Sequence, residues 1–171
     1  MANHVFNEVN FHGPDSDLMV AAHLFEQMEA CQPKTEEGQW PHFFIEMPRR
    51  FFADIEAAHL PGKLRVEYQT DWYPNPEDLV TIAAHFALDF ESTYVEHGNG
   101  YYGACRYKYD EGNLLHTWLE EHDFAQIGFD DQTRDYLYKE QRFKFQGNCY
   151  EYVLKEKLDS LEQSTRISRG R

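Results

Sequence analysis

The stretch "KLRVEYQTDWYPNPEDLVTIAAHFALDF" (63–90) changes its periodicity once, at a corner made by two prolines. Before the corner, Leu64, Val66, Tyr68 and Thr70 alternate with Lys63, Arg65, Glu67 and Gln69. That period of two is a strand with one buried face. After it, Leu79, Ile82, Ala83 and Phe86 recur at helical spacing. The corner residues explain the change. Pro74 removes a backbone donor and stops the strand. Asn75 is a good N-cap, and Pro76 fits the first helical position, where its missing N–H costs nothing. Glu77 and Asp78 suit the positive end of the helix. Each residue of "WYPNP" thus has a local mechanical reason, and no binding site is needed to explain it.

Working outward, "HVFNEVNFH" (4–12) alternates as a strand, with Val5, Asn7, Val9 and Phe11 on one face. Gly13-Pro14 breaks it. Asp15 or Ser16 is the expected cap of a helix carrying Leu18, Ala21, Ala22, Phe25 and Met28 and ending near Ala30. Residues 31–41 are a loop, 42–47 a short buried strand, and 48–59 a short helix with Phe51, Phe52 and Ile55 as its apolar side. Pro61-Gly62 is a turn. "LDFESTYVEH" (88–97) and "YYGACRYKYD" (101–110) are strands joined at Gly98-Asn99-Gly100, and "LLHTWLEEH" (114–122) reads as a third, with a helix start as the alternative. Residues 123–147 are ambiguous. Beyond them Asn148 and Glu151 match a capping box, and Tyr150, Val153, Leu154, Leu158 and Leu161 form one helix face. Strands interleaved with helices and followed by a meander predict an α+β fold, a ferredoxin-like sandwich. Its antiparallel sheet carries helices on one face, and a C-terminal helical extension follows. The division is a ferredoxin-like domain over 1–122, with an insertion near 31–62, and a mostly helical extension over 123–171 ending in a frayed basic tail.

The 171 residues carry 30 acidic and 16 basic side chains, a net charge of −14. Residues 1–130 hold 23 acids and 7 bases, whereas 131–171 hold 7 and 9. An acidic body repels phosphate backbones, so duplex DNA binding is not expected and a basic partner is. The N-terminus lacks a signal-peptide pattern and no apolar run reaches membrane-helix length, so a cytoplasmic protein is expected. Cys31, Cys105 and Cys149 are an odd number without CxxC spacing and read as reduced, mostly buried thiols.

No spacing of the nine histidines makes a metal motif, and no phosphate loop or nucleophile elbow is present, so neither a metal nor a cofactor is expected. Glu96 and His97, with His116 if the meander closes, are the nearest thing to an acid–base group. They support the alternative of a small metal-dependent hydrolase or nucleotide-modifying enzyme. Tyr102, Arg106 and Lys108 superficially suggest a single-stranded RNA platform, which the surrounding acidity disfavours.

"VNFHGP", "LRVEYQTDWYPNPEDL" and "LDFESTYVEHGNGYYGACRY" together resemble YubB-type proteins, small accessory proteins of conjugative plasmids and phages. The residues that carry the resemblance are Thr70, Trp72, Pro74, Pro76, Tyr94, Glu96, Gly98, Gly100, Tyr102 and Gly103. It spans about 3–110 and is best over 64–104. It implies a ferredoxin-like fold and a mobile-element origin, and brings no catalytic residues. With the acidity, it leads to the expectation of a non-enzymatic module that inhibits a host defence nuclease or nucleoprotein complex, of the anti-CRISPR or anti-restriction kind, by covering a basic surface. The candidate contact residues are Glu36, Glu37, Asp110, Glu111, Glu120, Glu121, Asp123, Asp130 and Asp131. A homodimer through the C-terminal leucine stripe is the other partner considered.

Overall fold

A computed structural model describes residues 3–31, 38–45 and 51–169, with side chains followed to residue 167. The elements are β1 (His4–His12), α1 (Asp15–Ala30), β2 (Ala53–Leu60), β3 (Lys63–Asp71), α2 (Pro76–His85), β4 (Asp89–Glu96), β5 (Tyr101–Lys108), β6 (Asn113–Trp118), α3 (Glu121–Phe124), β7 (Gly128–Asp130), β8 (Asp135–Tyr138), β9 (Gln141–Phe143) and α4 (Gln146–Arg169). Six strands form an antiparallel sheet in the order β2-β3-β1-β4-β5-β6. The first four strands with α1 and α2 are the ferredoxin-like unit. Strands β5 and β6 widen the sheet beyond β4 as consecutive hairpins. Strands β7, β8 and β9 form a separate three-stranded meander. Among the described residues no helix is long and apolar enough to cross a membrane.

The alternation in the sequence sets the layers. Inward residues of β1, β3 and β4 (Val9, Phe11, Leu64, Val66, Phe90) join Leu18 and Phe25 of α1 and Leu79 and Ile82 of α2 in one core. Phe11 meets both Phe25 and Phe90 with ring centres 5.9 Å apart. Helix α4 lies on the opposite face. There Cys149, Tyr150, Val153, Leu154 and Leu158 pack with Ala104 of β5 and Tyr138 of β8 in a second core. Leu154 and Leu158 are therefore covered within the chain, and Leu161 alone of the leucine stripe is exposed.

Four local expectations are corrected. Helix α1 begins after Pro14, with no side-chain cap from Asp15 or Ser16. Helix α4 begins at Gln146, which places Asn148 inside its first turn rather than at a capping position. In place of a buried strand, residues 42–43 form a turn, and Ile45 is fully exposed; residues 46–47 lie outside the described residues. Of the helix expected over 48–59, residues 48–50 lie outside the described residues and 53–59 belong instead to strand β2, the edge strand paired with β3. A β-bulge explains the misreading. The register shifts between Ala53 and Glu56, and Asp54 has φ of 47°. The extra residue turns Phe52 and Ile55, three apart, toward the same core. A spacing of three then imitates a helix. Hence the segment taken as an insertion supplies the second strand of the fold.

The β2–β3 hairpin closes through Pro61-Gly62, where Gly62 has φ of 74°. Proline then glycine with positive φ is the signature of a type II turn. Residues 123–147 hold the end of α3, the β7–β9 meander and the start of α4, and Tyr138 and Phe143 of the meander meet Tyr152 of α4.

Candidate binding faces of the sheet

Within the six-stranded sheet helix α4 packs chiefly on β5 and β6, so among the described residues the face formed by β4, β1, β3 and β2 is largely free of helix on that side. The groove beside α4, about 750 Å³, is lined by five carboxylates (Glu8, Asp54, Glu56, Glu67 and Glu151) and one guanidinium, Arg65. These residues arrive by simple rules. Glu8 and Glu67 are the outward members of alternating strands and are paired directly across β1 and β3. Like charges so placed repel. Arg65 relieves this: it donates to Glu8 at 2.9 Å and also ion-pairs Glu67. The hydrogen bond and charge of Glu8 in turn raise the guanidinium's pKa. Glu151, at the start of α4, has its carboxyl raised by burial and by the charge of Glu8. The groove thus concentrates negative charge that its single arginine does not neutralise.

A second cavity, about 740 Å³, lies on the α1/α2 side, at the Trp72 corner. One of its lining residues, Tyr94, owes its position to a glycine. Tyr94 and Gly103 are directly paired across β4 and β5, and a Cβ on Gly103 would lie 2.1 Å from the Tyr94 ring. The bare glycine lets that ring cross β5, and its hydroxyl hydrogen-bonds His116 Nε2 on β6 at 2.9 Å. Burial lowers the pKa of His116, partly opposed by the charge of Glu77. Burial also pushes the nearby Cys105 thiol up to about 12, which keeps it protonated at neutral pH. Beneath the corner, Asn75 precedes the first residue of α2 but makes no side-chain cap. Its Oδ1 instead accepts the Tyr68 hydroxyl at 2.7 Å, tying the corner to β3.

The proposed acid–base group does not assemble. Glu96 is buried, and its two carboxylate oxygens accept the N–H groups of Gly98 and Asn99 at 2.7 Å each. It therefore pins the β4–β5 turn. His97 lines the acidic groove on one face, whereas Glu96 and His116 line the cavity on the other. The strand carrying Tyr102 and Arg106 is also closed to RNA bases. Tyr102 stacks edge-on against Tyr150 of α4, and Arg106 binds Glu91, Asp159 and Glu162 under that helix.

The acidic residues singled out from the sequence fall in three places. Asp110 and Glu111 are exposed at the β5–β6 turn. Glu120, Glu121 and Asp123 surround α3. Asp123 is buried, accepts the Glu120 N–H at 2.9 Å and ion-pairs Lys157. Glu120, His122 and Asp123 come close enough to hold a cation, but Lys157 already bridges the two carboxylates. Asp130 accepts the N–H groups of Gln132 and Thr133 and so shapes the β7–β8 turn, while Asp131 is exposed. Glu36 and Glu37 lie outside the described residues. Of the groove acids, Glu8 and Glu67 were legible as outward strand positions, whereas Asp54 and Glu56 fell in the segment expected to be helical and Glu151 in the C-terminal helix. That no described helix covers them depends on where α4 lands.

The family described as the ferredoxin-like domain in Api92-like protein matches residues 50–139, more than half of the chain, and the chain belongs to that family. No curated protein matches it, and no solved structure does.

Proposed function

We propose that this member of the ferredoxin-like family of Api92-like proteins is a non-enzymatic binding module whose acidic sheet face engages a basic surface of a protein partner. The observation that supports this most directly is the groove of five carboxylates around one already paired arginine, in a chain of net charge −14. Such a surface attracts lysine- and arginine-rich segments and competes with nucleic acid for them. The exposed acids Asp110, Glu111, Glu121 and Asp131 extend the same field over the surface. The resemblance to YubB-type proteins supports a plasmid or phage setting, with a host defence nuclease or nucleoprotein complex in the cytoplasm as the target.

The test is a binding titration against candidate nucleases, with DNA as competitor. Affinity should fall steeply with salt, and DNA should displace the protein. The triple variant Asp54→Lys, Glu56→Lys, Glu151→Lys should weaken binding at least tenfold. If Asp110→Lys with Glu111→Lys weakens it while the groove variant does not, the contact surface lies at the β5–β6 turn instead. Affinity indifferent to salt and to both variants overturns the charge-based reading.

A further inference from the structure

The cavity at the Trp72 corner differs chemically from the acidic groove and lies on the other side of the sheet. Its rim is aromatic. Trp72, Tyr73, Tyr101 and Trp118 all line it and are 51%, 63%, 55% and 47% exposed. Four large rings left in water around one concavity are unlike the scattered exposed apolar residues normal on a surface. The backbone holds one of them in place. Trp72 has φ of 69°, unusual for a bulky residue, and its N–H donates to the Asn3 carbonyl at 2.8 Å. Strain of this kind persists where the surrounding structure over-determines it, and it clusters at ligand clamps.

The electrostatics are one-sided. Glu77 and Glu96 line the cavity, and among the described residues no lysine or arginine does. Glu96 is held at the β4–β5 turn, and the charge of Glu77 is felt at both His116 and Cys105. Because burial lowers the pKa of His116, its imidazole is neutral at pH 7 and adds no opposing positive charge. Aromatic faces with a nearby carboxylate attract cations and repel phosphates and carboxylates. The polar groups set deeper in the cavity bond one another or the backbone. Tyr94 and His116 are bonded to each other, and Glu96 to the turn. A guanidinium brings five N–H groups that need acceptors, and a primary ammonium brings three. A fully methylated ammonium brings none.

We propose that this cavity binds a quaternary ammonium group, caged by Trp72, Trp118 and Tyr101 with Glu77 as counter-charge. The site is independent of the acidic groove. The experiment titrates the full chain with choline, with its neutral isostere 3,3-dimethyl-1-butanol, with arginine amide and with adenosine, following the three indole N–H signals by NMR. Choline should move the signals of Trp72 and Trp118, leave that of Trp40 in place, and bind at least tenfold tighter than the neutral isostere. Trp118→Ala should abolish binding. Because that variant changes packing against His116, Glu77→Gln, at an exposed position, serves as the second variant and should weaken choline at least fivefold. Equal affinity for choline and the isostere, tighter binding of arginine amide or adenosine, or no movement of the two indoles overturns the proposal.

Discussion

The two faces of the six-stranded sheet are made by the same strands with the same alternation, yet one is closed over β1, β3 and β4 and open only at the Trp72 corner, while the other is divided. On the α1/α2 face, Val9, Phe11, Leu64, Val66 and Phe90 have no measurable exposure. On the α4 face, Tyr102 and Ala104 at one end are covered, while Phe6 in the middle is 45% exposed and Glu8 and Glu67 stand beyond it. The difference lies in helix number. Two helices pack on the first face, and among the described residues the single helix on the second lies over its β5–β6 end. Beyond α4 on the second face the outward residues are mostly charged, with Phe6 among them, which limits the exposed apolar area. The transition passes through Arg106, whose side chain is only 10% exposed and carries three carboxylates with it.

The largest effect that sharpens this contrast comes from paired truncations. Phe11→Ala should cost about 3–5 kcal/mol in urea unfolding, whereas Phe6→Ala, half in water, should cost less than about 1 kcal/mol. Similar costs would mean that the second face is covered in solution. Next, Arg106→Ala strands Glu91, Asp159 and Glu162 around a vacated cation site and should cost about 3 kcal/mol. Arg65→Ala, in an exposed ion-pair cluster, should cost about 1 kcal/mol or less. A smaller effect, about 1–3 kcal/mol, is expected for Gly103→Ala, which forces the Tyr94 ring off β5. In a Tyr94→Ala background that cost should largely disappear, and a double-mutant cycle measures the coupling.

The smallest effect is in pH. Burial raises the Asp123 carboxyl, but the hydrogen bond from Lys157 and that from the Glu120 N–H outweigh it, so its pKa is below the ordinary carboxylate value. A depressed carboxyl contributes stability that is present above the unfolded-state value of about 3.9 and lost as pH falls below it. Asp123→Asn should flatten the fall in melting temperature below about pH 4 relative to the parent chain.

Some parts of this architecture are written locally. Strands β1 and β3 carry clean alternation, and α2 follows a corner whose residues each have one role, so their positions and buried faces could be read from the chain. Strand β2 could not, because the bulge at Asp54 changes the phase of its apolar residues and its Glu56-Ala57-Ala58 stretch favours a helix. Pairing with β3 and burial of Phe52 and Ile55 override that preference. Strands β7 to β9 are three or four residues each, too short to establish a period.

The same division holds for the candidate sites. Net acidity, outward-facing Glu8 and Glu67, and the aromatic content of the Trp72 corner are all visible in the sequence. Visible, too, is a reason for each corner residue to be there without a ligand. What the sequence does not carry is which strand faces remain open, or that Trp72, Tyr101 and Trp118, separated along the chain, meet at one cavity. Side-chain alternation is a property of neighbouring residues, so the chain by itself determines inside and outside along each strand. Which outside face meets water depends on strand order and on where α4 comes to rest, and only the tertiary structure decides both.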